Sequence, residues 1–376
     1  MSSTPSSDAS DSALDGIRVV DLGTLLPGPV CALHLAWLGA DVIKIEPPAG
    51  EAGRHLYDGA FFDTYNRGKR SVALDLKSPD GLEAALNLCR TADVVVENFR
   101  PGVAERLGLG FDRLSAENQR LIHCSITGYG RGSLARAPAH DLNFLARSGA
   151  LSQPTTWSAR GRQPTRPAMP IGDFGGAAMA VQAILAALYK RTRTGRGAHI
   201  DIVMNEVLLH WMAWRTAAQD RPELDAWSRY LEPANDIYET ADGRFLALGA
   251  IESHLWRAFV AVAVEVGGDL GLDAEIADWD WRQRRSIAPT LSEQLNALFR
   301  RHPLVWWIAR LQAAGVPADP INTPPEAFAD PWAREQYLVQ DDGWVRPPLP
   351  GVVRLAPAPG LDQDAQAVRD GNLWRA

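Results

Sequence analysis

Apolar and polar positions along the chain fall into alternating blocks. From Gly16, IRVVDL reads as a buried strand, GTLLPGP as a turn, CALHLAWLGA as a helix and DVIKIEPP as a second strand. Short apolar runs bounded by turn residues and separated by helix-period segments predict parallel strands joined by crossover helices. The pattern continues through RSVALDL (strand), GLEAALNLCRTA (helix) and DVVVENF (strand). After RPGVAERLG, the strand LIHCSITGYG runs into a glycine-rich loop. A long apolar helix is predicted from Gly175, with Lys and Arg in its last turn and Gly195 as its stop. HIDIVMNEVLLHWMAW then reads as a strand entering another apolar helix. The fold class is α/β, a parallel sheet flanked by helices.

The character changes after residue 217. Residues 218–236 are polar and contain proline, as a linker or excursion does. DIYETADGRFLALGA forms two alternating runs around Asp242-Gly243, a hairpin signal. ESHLWRAFVAVAVEVG is helical, and a Trp-rich helical stretch follows to about Val316. These features predict a large domain over 16–224 and a smaller α+β domain over 225–325. Residues 326–376 carry many prolines and are expected to return to the large domain as extended chain. The Ser- and Asp-rich residues 1–15 are expected to be a disordered tail.

Composition narrows the function classes. The 376 residues are 46% hydrophobic and carry a net charge of -7 with no basic run, which disfavours nucleic acid as a partner. Cys31, Cys89 and Cys124 make no CxxC pair and no metal-ligand spacing, so they read as reduced thiols of a cytoplasmic protein without a metal site. No apolar run approaches the roughly 20 residues of a membrane span, and no signal peptide is recognisable. Glu46 ends the second strand as in dinucleotide-binding folds. However, Gly23 and Gly28 do not make GxGxxG, which argues against nicotinamide.

Candidate chemistry concentrates between Ala139 and Ala178. His140 and Asp141 precede a short apolar run, and Asp173 precedes two glycines and the long helix. A group titrating near neutrality together with carboxylates on rigid elements suits proton transfer. Asp173 is equally well placed as a helix N-cap, and His140 taken alone is more readily a structural histidine. Amides at that helix start are further candidates for stabilising negative charge. Lys69, Arg70, Lys77 and Arg100 lie beside strand ends, where α/β sheets bind ligands, and are candidate phosphate contacts or ordinary solvated charges.

The motifs GIRVVDL with PGP, LGADVIKIEPP, NRGKRSVALDLK, RPGVAERLGLG, TGYG, HDLNF, GDFGG, TGRGAHIDI and YETADGRFLALGAIE, in this order, resemble CoA-transferase family III. That family includes the α-methylacyl-CoA racemases. The resemblance spans about Gly16 to Val339 and is strongest to the racemase branch. It implies a Rossmann-like large domain with a smaller α+β domain, in a homodimer interlocked as rings. It implies a racemase in which His140 and Asp173 are the catalytic bases and Glu252 of the GAIE motif lies near the histidine. In the alternative, a CoA transferase, Asp141 is the nucleophile. Leu74, Asp75, Leu76 and Lys77 resemble the adenine–ribose contact, and Arg100 a phosphate contact. Ala139, Leu142, Asn143 and Phe144 resemble the segment along the thioester. Phe144 stands where the family has tyrosine, and Pro47 where racemases tend to carry a basic residue. Coenzyme A is then part of the acyl-CoA substrate, with no prosthetic group.

Overall fold

The computed structural model describes residues 12–152, 166–216, 232–336, 345, 347–349, 351–369 and 373–374. The chain forms two compact units. The first comprises Met1–Ala150, Pro167–Met212 and Val345–Ala376; the second comprises Leu151–Arg166 and Ala213–Trp344.

In the first unit, β1 (Arg18–Asp21), α1 (Pro27–Trp37), β2 (Asp41–Glu46), β3 (Arg70–Ala73), α2 (Pro79–Thr91), β4 (Val94–Glu97) and β5 (Ile122–Thr127) follow the expected alternation. They are succeeded by α3 (Asp141–Arg147), α4 (Ile171–Thr194), β6 (Ala198–Val203) and α5 (Met204–Thr216). The six strands make one parallel sheet of order β3-β2-β1-β4-β5-β6. Val19, Val20, Val42, Ile43, Val94, Val95 and Ile122 are buried. That is why these strands read as continuous apolar runs rather than alternating ones. β1 turns into α1 so tightly that a Cβ on Gly23 would stand 2.7 Å from the Cα of Gly28; only glycine fits both places.

Four sequence expectations are corrected here. Order reaches back past Gly16: Leu14 is buried and its N–H donates to the Leu38 carbonyl at 2.9 Å. α4 begins at Ile171 rather than Gly175, with Pro170 as N-cap, so Asp173 lies in the first helical turn and is not the cap. Gly195 ends the helix in the left-handed conformation, φ +67°. At 24 residues α4 is also long and apolar enough to cross a membrane by length and composition. Its apolarity is accounted for by burial of Gly175, Gly176, Ala177, Ala180, Val181 and Ile184 in the first unit. Finally, residues 326–344 belong to the second unit rather than returning to the first, and the C-terminal part is not only extended chain. It contains short helices at Pro324–Ala329, Pro331–Glu335 and Ala365–Arg369. Asp362 and Asp364 accept the backbone N–H groups of Ala73 and Ser71 at 2.8 and 2.9 Å, occupying the free edge of β3.

The second unit holds β7 (Ile237–Glu239), β8 (Phe245–Leu248), α6 (Ser253–Gly267), α7 (Ala288–Phe299), α8 (Leu304–Ala313) and β9 (Ala318–Pro320). The expected hairpin turns at Gly243, φ +72°. A third strand, β9, which the apolar pattern did not reveal, pairs antiparallel with β8. Tyr238, Trp256, Phe259, Leu295, Phe299 and Trp307 form the core beneath this sheet. Most of the polar excursion at 218–236, up to residue 231, lies outside the described residues, as do 1–11 of the expected tail and the polar loop at 153–165.

Candidate active site

The strand order reverses between β1 and β4. In open α/β sheets the crevice outside the strand ends at such a point is where ligands bind. Here the loops after β1, β4 and β5 line a cavity of about 340 Å³ through Thr24, Leu25, Asn98, Arg100 and Tyr129. Its wall is completed by Ala139, His140, Phe144 and Asp173. Beside it, an apolar slot of about 240 Å³ is lined by Ile45, Pro47, Pro48, Leu74, Leu76 and Leu107, with Asp75 and Lys77 also in its wall. Thr24 and Phe99 belong to both walls, so the two spaces adjoin.

The α3–α4 junction sets the chemistry. Asp141 Oδ1 accepts the backbone N–H of Gly172 at 2.6 Å and that of Asp173 at 3.2 Å. A Cβ on Gly172 would come within 2.9 Å of that oxygen, so glycine permits the approach. The two amides are thereby used by Asp141. The expectation that amides at this helix start serve a ligand's negative charge is corrected for both. Asp173 is half-buried, and burial followed by the Asp141 charge pushes its carboxyl up to about 7. His140 is exposed at the N-cap of α3, its N–H donating to Asn143 Oδ1 at 3.0 Å. Phe144 is buried, meets Tyr129 edge to face at 5.2 Å and abuts Gly128.

Of the residues singled out from the sequence, the structure brings His140, Asp173, Ala139, Phe144 and Arg100 onto one cavity wall. Leu74, Asp75, Leu76 and Lys77 lie on the adjoining slot. Leu142 and Asn143 are exposed and outside the cavity lining. Asp141 is also outside it, at the helix start just described. Glu252 belongs to the second unit, where it is the N-cap of α6. Lys69 and Arg70 are corrected as phosphate contacts. Lys69 is buried and donates to Asp21 at 2.8 Å, Asn66 at 2.7 Å and the Pro29 carbonyl at 2.9 Å. Arg70 pairs with Asp41 at 2.7 Å and donates to the Leu373 carbonyl. Lys77 and Arg100 are exposed. Arg100 also lies on the wall of a polar cavity of about 530 Å³ that contains Glu97, Ser125, His199 and Asp201. Burial pushes the Glu97 carboxyl up to about 7. Among the described residues no group of three His, Cys, Asp or Glu is placed to hold a metal ion.

Sequence reasoning missed Thr24, Leu25, Asn98, Tyr129 and Met204 of the cavity wall. The first four follow strand ends within a few residues, and that position was the available signal. Met204 opens α5 and carried none.

Several known proteins are similar to this chain over most of its length. The profile of CoA-transferase family III matches residues 14–360. The human α-methylacyl-CoA racemase is 37% identical over 292 residues, 76% of this chain and 73% of that protein. The acetyl-CoA:oxalate CoA-transferase of Acetobacter aceti is 32% identical over 94% of each chain. The crystal structure of a CaiB/BaiF family protein from Brucella suis superposes with a TM-score of 0.81 at 28% identity, covering 96% of this chain and 99% of that one.

Proposed function

The chain belongs to CoA-transferase family III, whose members act on CoA esters, and from that premise we propose that it racemises the α-carbon of a 2-methylacyl-CoA by two-base proton transfer. The observation that carries this reading is the shared cavity wall of His140 and Asp173, with an aspartate that takes up its proton near neutrality. One group removes the α-proton, and the C–H electron pair moves into the thioester carbonyl to give an enolate. The other delivers a proton to the opposite face. An acid–base group with a pKa near the working pH is the most effective donor and acceptor. Asp141 serves this arrangement indirectly, by holding the start of α4 and raising the Asp173 pKa. The apolar slot at Leu74–Lys77 suits the adenine ring, and Arg100 a phosphate at the cavity mouth.

The test is incubation of either enantiomer in deuterated water without an acceptor acid. Deuterium should enter at the α-carbon, and His140→Ala and Asp173→Ala should each lower its entry by about 10²–10⁴-fold. A homodimer belongs to the same reading and is checked by sedimentation at micromolar concentration.

The similarity to a transferase over nearly the whole chain supports a second reading. There, an Asp141 carboxylate oxygen attacks the thioester carbonyl, the C–S bond breaks, and CoA leaves as the thiolate with a mixed anhydride on Asp141. The thiolate then attacks the aspartyl carbonyl and releases the acyl carboxylate. Hydroxylamine trapping of Asp141 during turnover, with no solvent exchange, would replace the first reading with this one.

A further inference from the structure

The turn after β1 is held by side chains at every step. Gly23 N–H donates to Asp21 Oδ1 at 2.8 Å, and its carbonyl accepts from Lys44 Nζ at 2.7 Å. Thr24 N–H donates to Asn98 Oδ1 at 2.8 Å, and its carbonyl accepts from Asn98 Nδ2 at 3.0 Å. Leu25 N–H donates to Glu51 Oε2 at 2.8 Å. Leu25 is a non-glycine residue at φ +60°, a conformation that a leucine keeps only when its surroundings impose it.

Glu51 is an expensive way to impose it. Glu51 is 2% exposed; among the described residues its Oε1 has no hydrogen-bond partner and faces Lys44 Nζ at 3.6 Å, a cation shared with Asp21 at 3.7 Å. Oε2 also accepts the Gly53 N–H at 3.1 Å, capping the short helix Ala52–Gly59, and a buried charge held mainly by a shared cation returns little net stability. What it does achieve is geometric. Thr24 and Leu25 line the cavity of His140 and Asp173, and Thr24 also lines the apolar slot.

We infer that Glu51 is a positioning residue for the extended arm of a CoA ester: by locking Leu25 in the left-handed turn, it sets the wall along which the arm passes from the slot to the reacting carbon. Glu51 itself lines neither space. The inference rests on the CoA-ester reading.

The experiment compares one 2-methylacyl group carried on CoA and on N-acetylcysteamine, which keeps the thioester and lacks the nucleotide. Glu51→Leu fills the buried site without an acceptor for Leu25, and Glu51→Gln keeps one. In Glu51→Leu, kcat/KM for the CoA ester should fall roughly 10- to 100-fold, the scale of small misplacements in an active site, with most of the change in KM. The short thioester should change less than about threefold, and Glu51→Gln should recover the CoA ester to within about threefold of wild type. Equal losses on both thioesters, or no loss on either, overturn the inference. If Glu51→Leu does not fold by urea titration, Glu51→Ala replaces it; failure of both to fold makes Glu51 structural and also overturns it. Calorimetry with CoA on the wild type separates the two levels. No binding there sinks the CoA reading itself, whereas wild-type binding with an unaffected Glu51→Leu sinks only the role of Glu51.

Discussion

The two units differ in the kind of side chain they bury beside their apolar cores. Beneath the carboxyl end of the parallel sheet, Asp21, Lys44, Glu46, Glu51 and Lys69 are all buried. Burial pushes the Asp21 carboxyl up, but Lys44 and Lys69 outweigh it and hold that carboxyl below the usual range. In the second unit the buried mass is aromatic. Phe299 stacks on Tyr238 at 4.8 Å and meets Trp307 edge to face at 4.8 Å. The indole N–H groups of Trp256 and Trp307 donate to the Ile276 and Phe299 carbonyls at 2.6 and 2.8 Å. Among the described residues the buried cation there is Arg284, which pairs with Glu232 at 3.0 Å and lies over the Trp256 ring. Aromatic burial returns free energy in proportion to the area removed from water, with a smaller contribution from ring geometry. Paired buried charges return little net free energy but fix atoms in place. The unit with the site uses the second device around its loops, and the other unit relies on the first.

The sharpest way to break this contrast is to exchange the expected effects. His140→Ala and Asp173→Ala should each lower α-proton exchange by about 10²–10⁴-fold, while the urea midpoint moves by less than about 1 kcal/mol equivalent. Trp307→Ala should do the reverse, costing about 3–5 kcal/mol in urea unfolding, with KM of the folded fraction unchanged. Should His140→Ala unfold the chain or Trp307→Ala abolish exchange while folded, the division of labour fails.

Within the charged network, Lys69→Met should cost about 3 kcal/mol or more, because it leaves the buried Asp21 with Lys44, at 3.7 Å, as its remaining cation among the described residues. Trp307→Phe, which keeps an apolar ring, should lose less than Trp307→Ala; paired urea titrations measure both. Arg100→Ala should raise KM for the CoA ester by about tenfold with kcat nearly unchanged, as expected for a contact present in ground and transition states alike.

The last effects are in pH. Asp141→Asn removes the charge that helps raise Asp173, so the limb of the pH–rate profile near 7 should move to lower pH. Asp173 binds its proton more tightly folded than unfolded. Its contribution to stability is therefore complete below its unfolded value of 3.8 and is lost as pH rises through about 7. The urea midpoint of the wild type relative to Asp173→Asn should decline across that window.

Much of this was readable along the chain. The continuous apolar strands, the alternation with helices and the Asp242-Gly243 hairpin are local patterns, and local patterns determine elements. The motif order determined the family, and with it the candidates His140, Asp173, Arg100 and Leu74–Lys77. Other features depended on contacts between residues far apart. Lys69 reads as a phosphate candidate or a solvated charge until Asp21, 48 positions away, is seen beside it. β9 is three residues long and is made a strand only by β8. Asp173 looks like an N-cap because capping chemistry is local, yet its carboxyl is raised by burial and by Asp141, 32 positions earlier. Which amides remain for a ligand, which lysine is already paired and why a leucine holds a left-handed turn are questions of burial and through-space charge. Burial and charge act across folded distances that sequence separation does not encode.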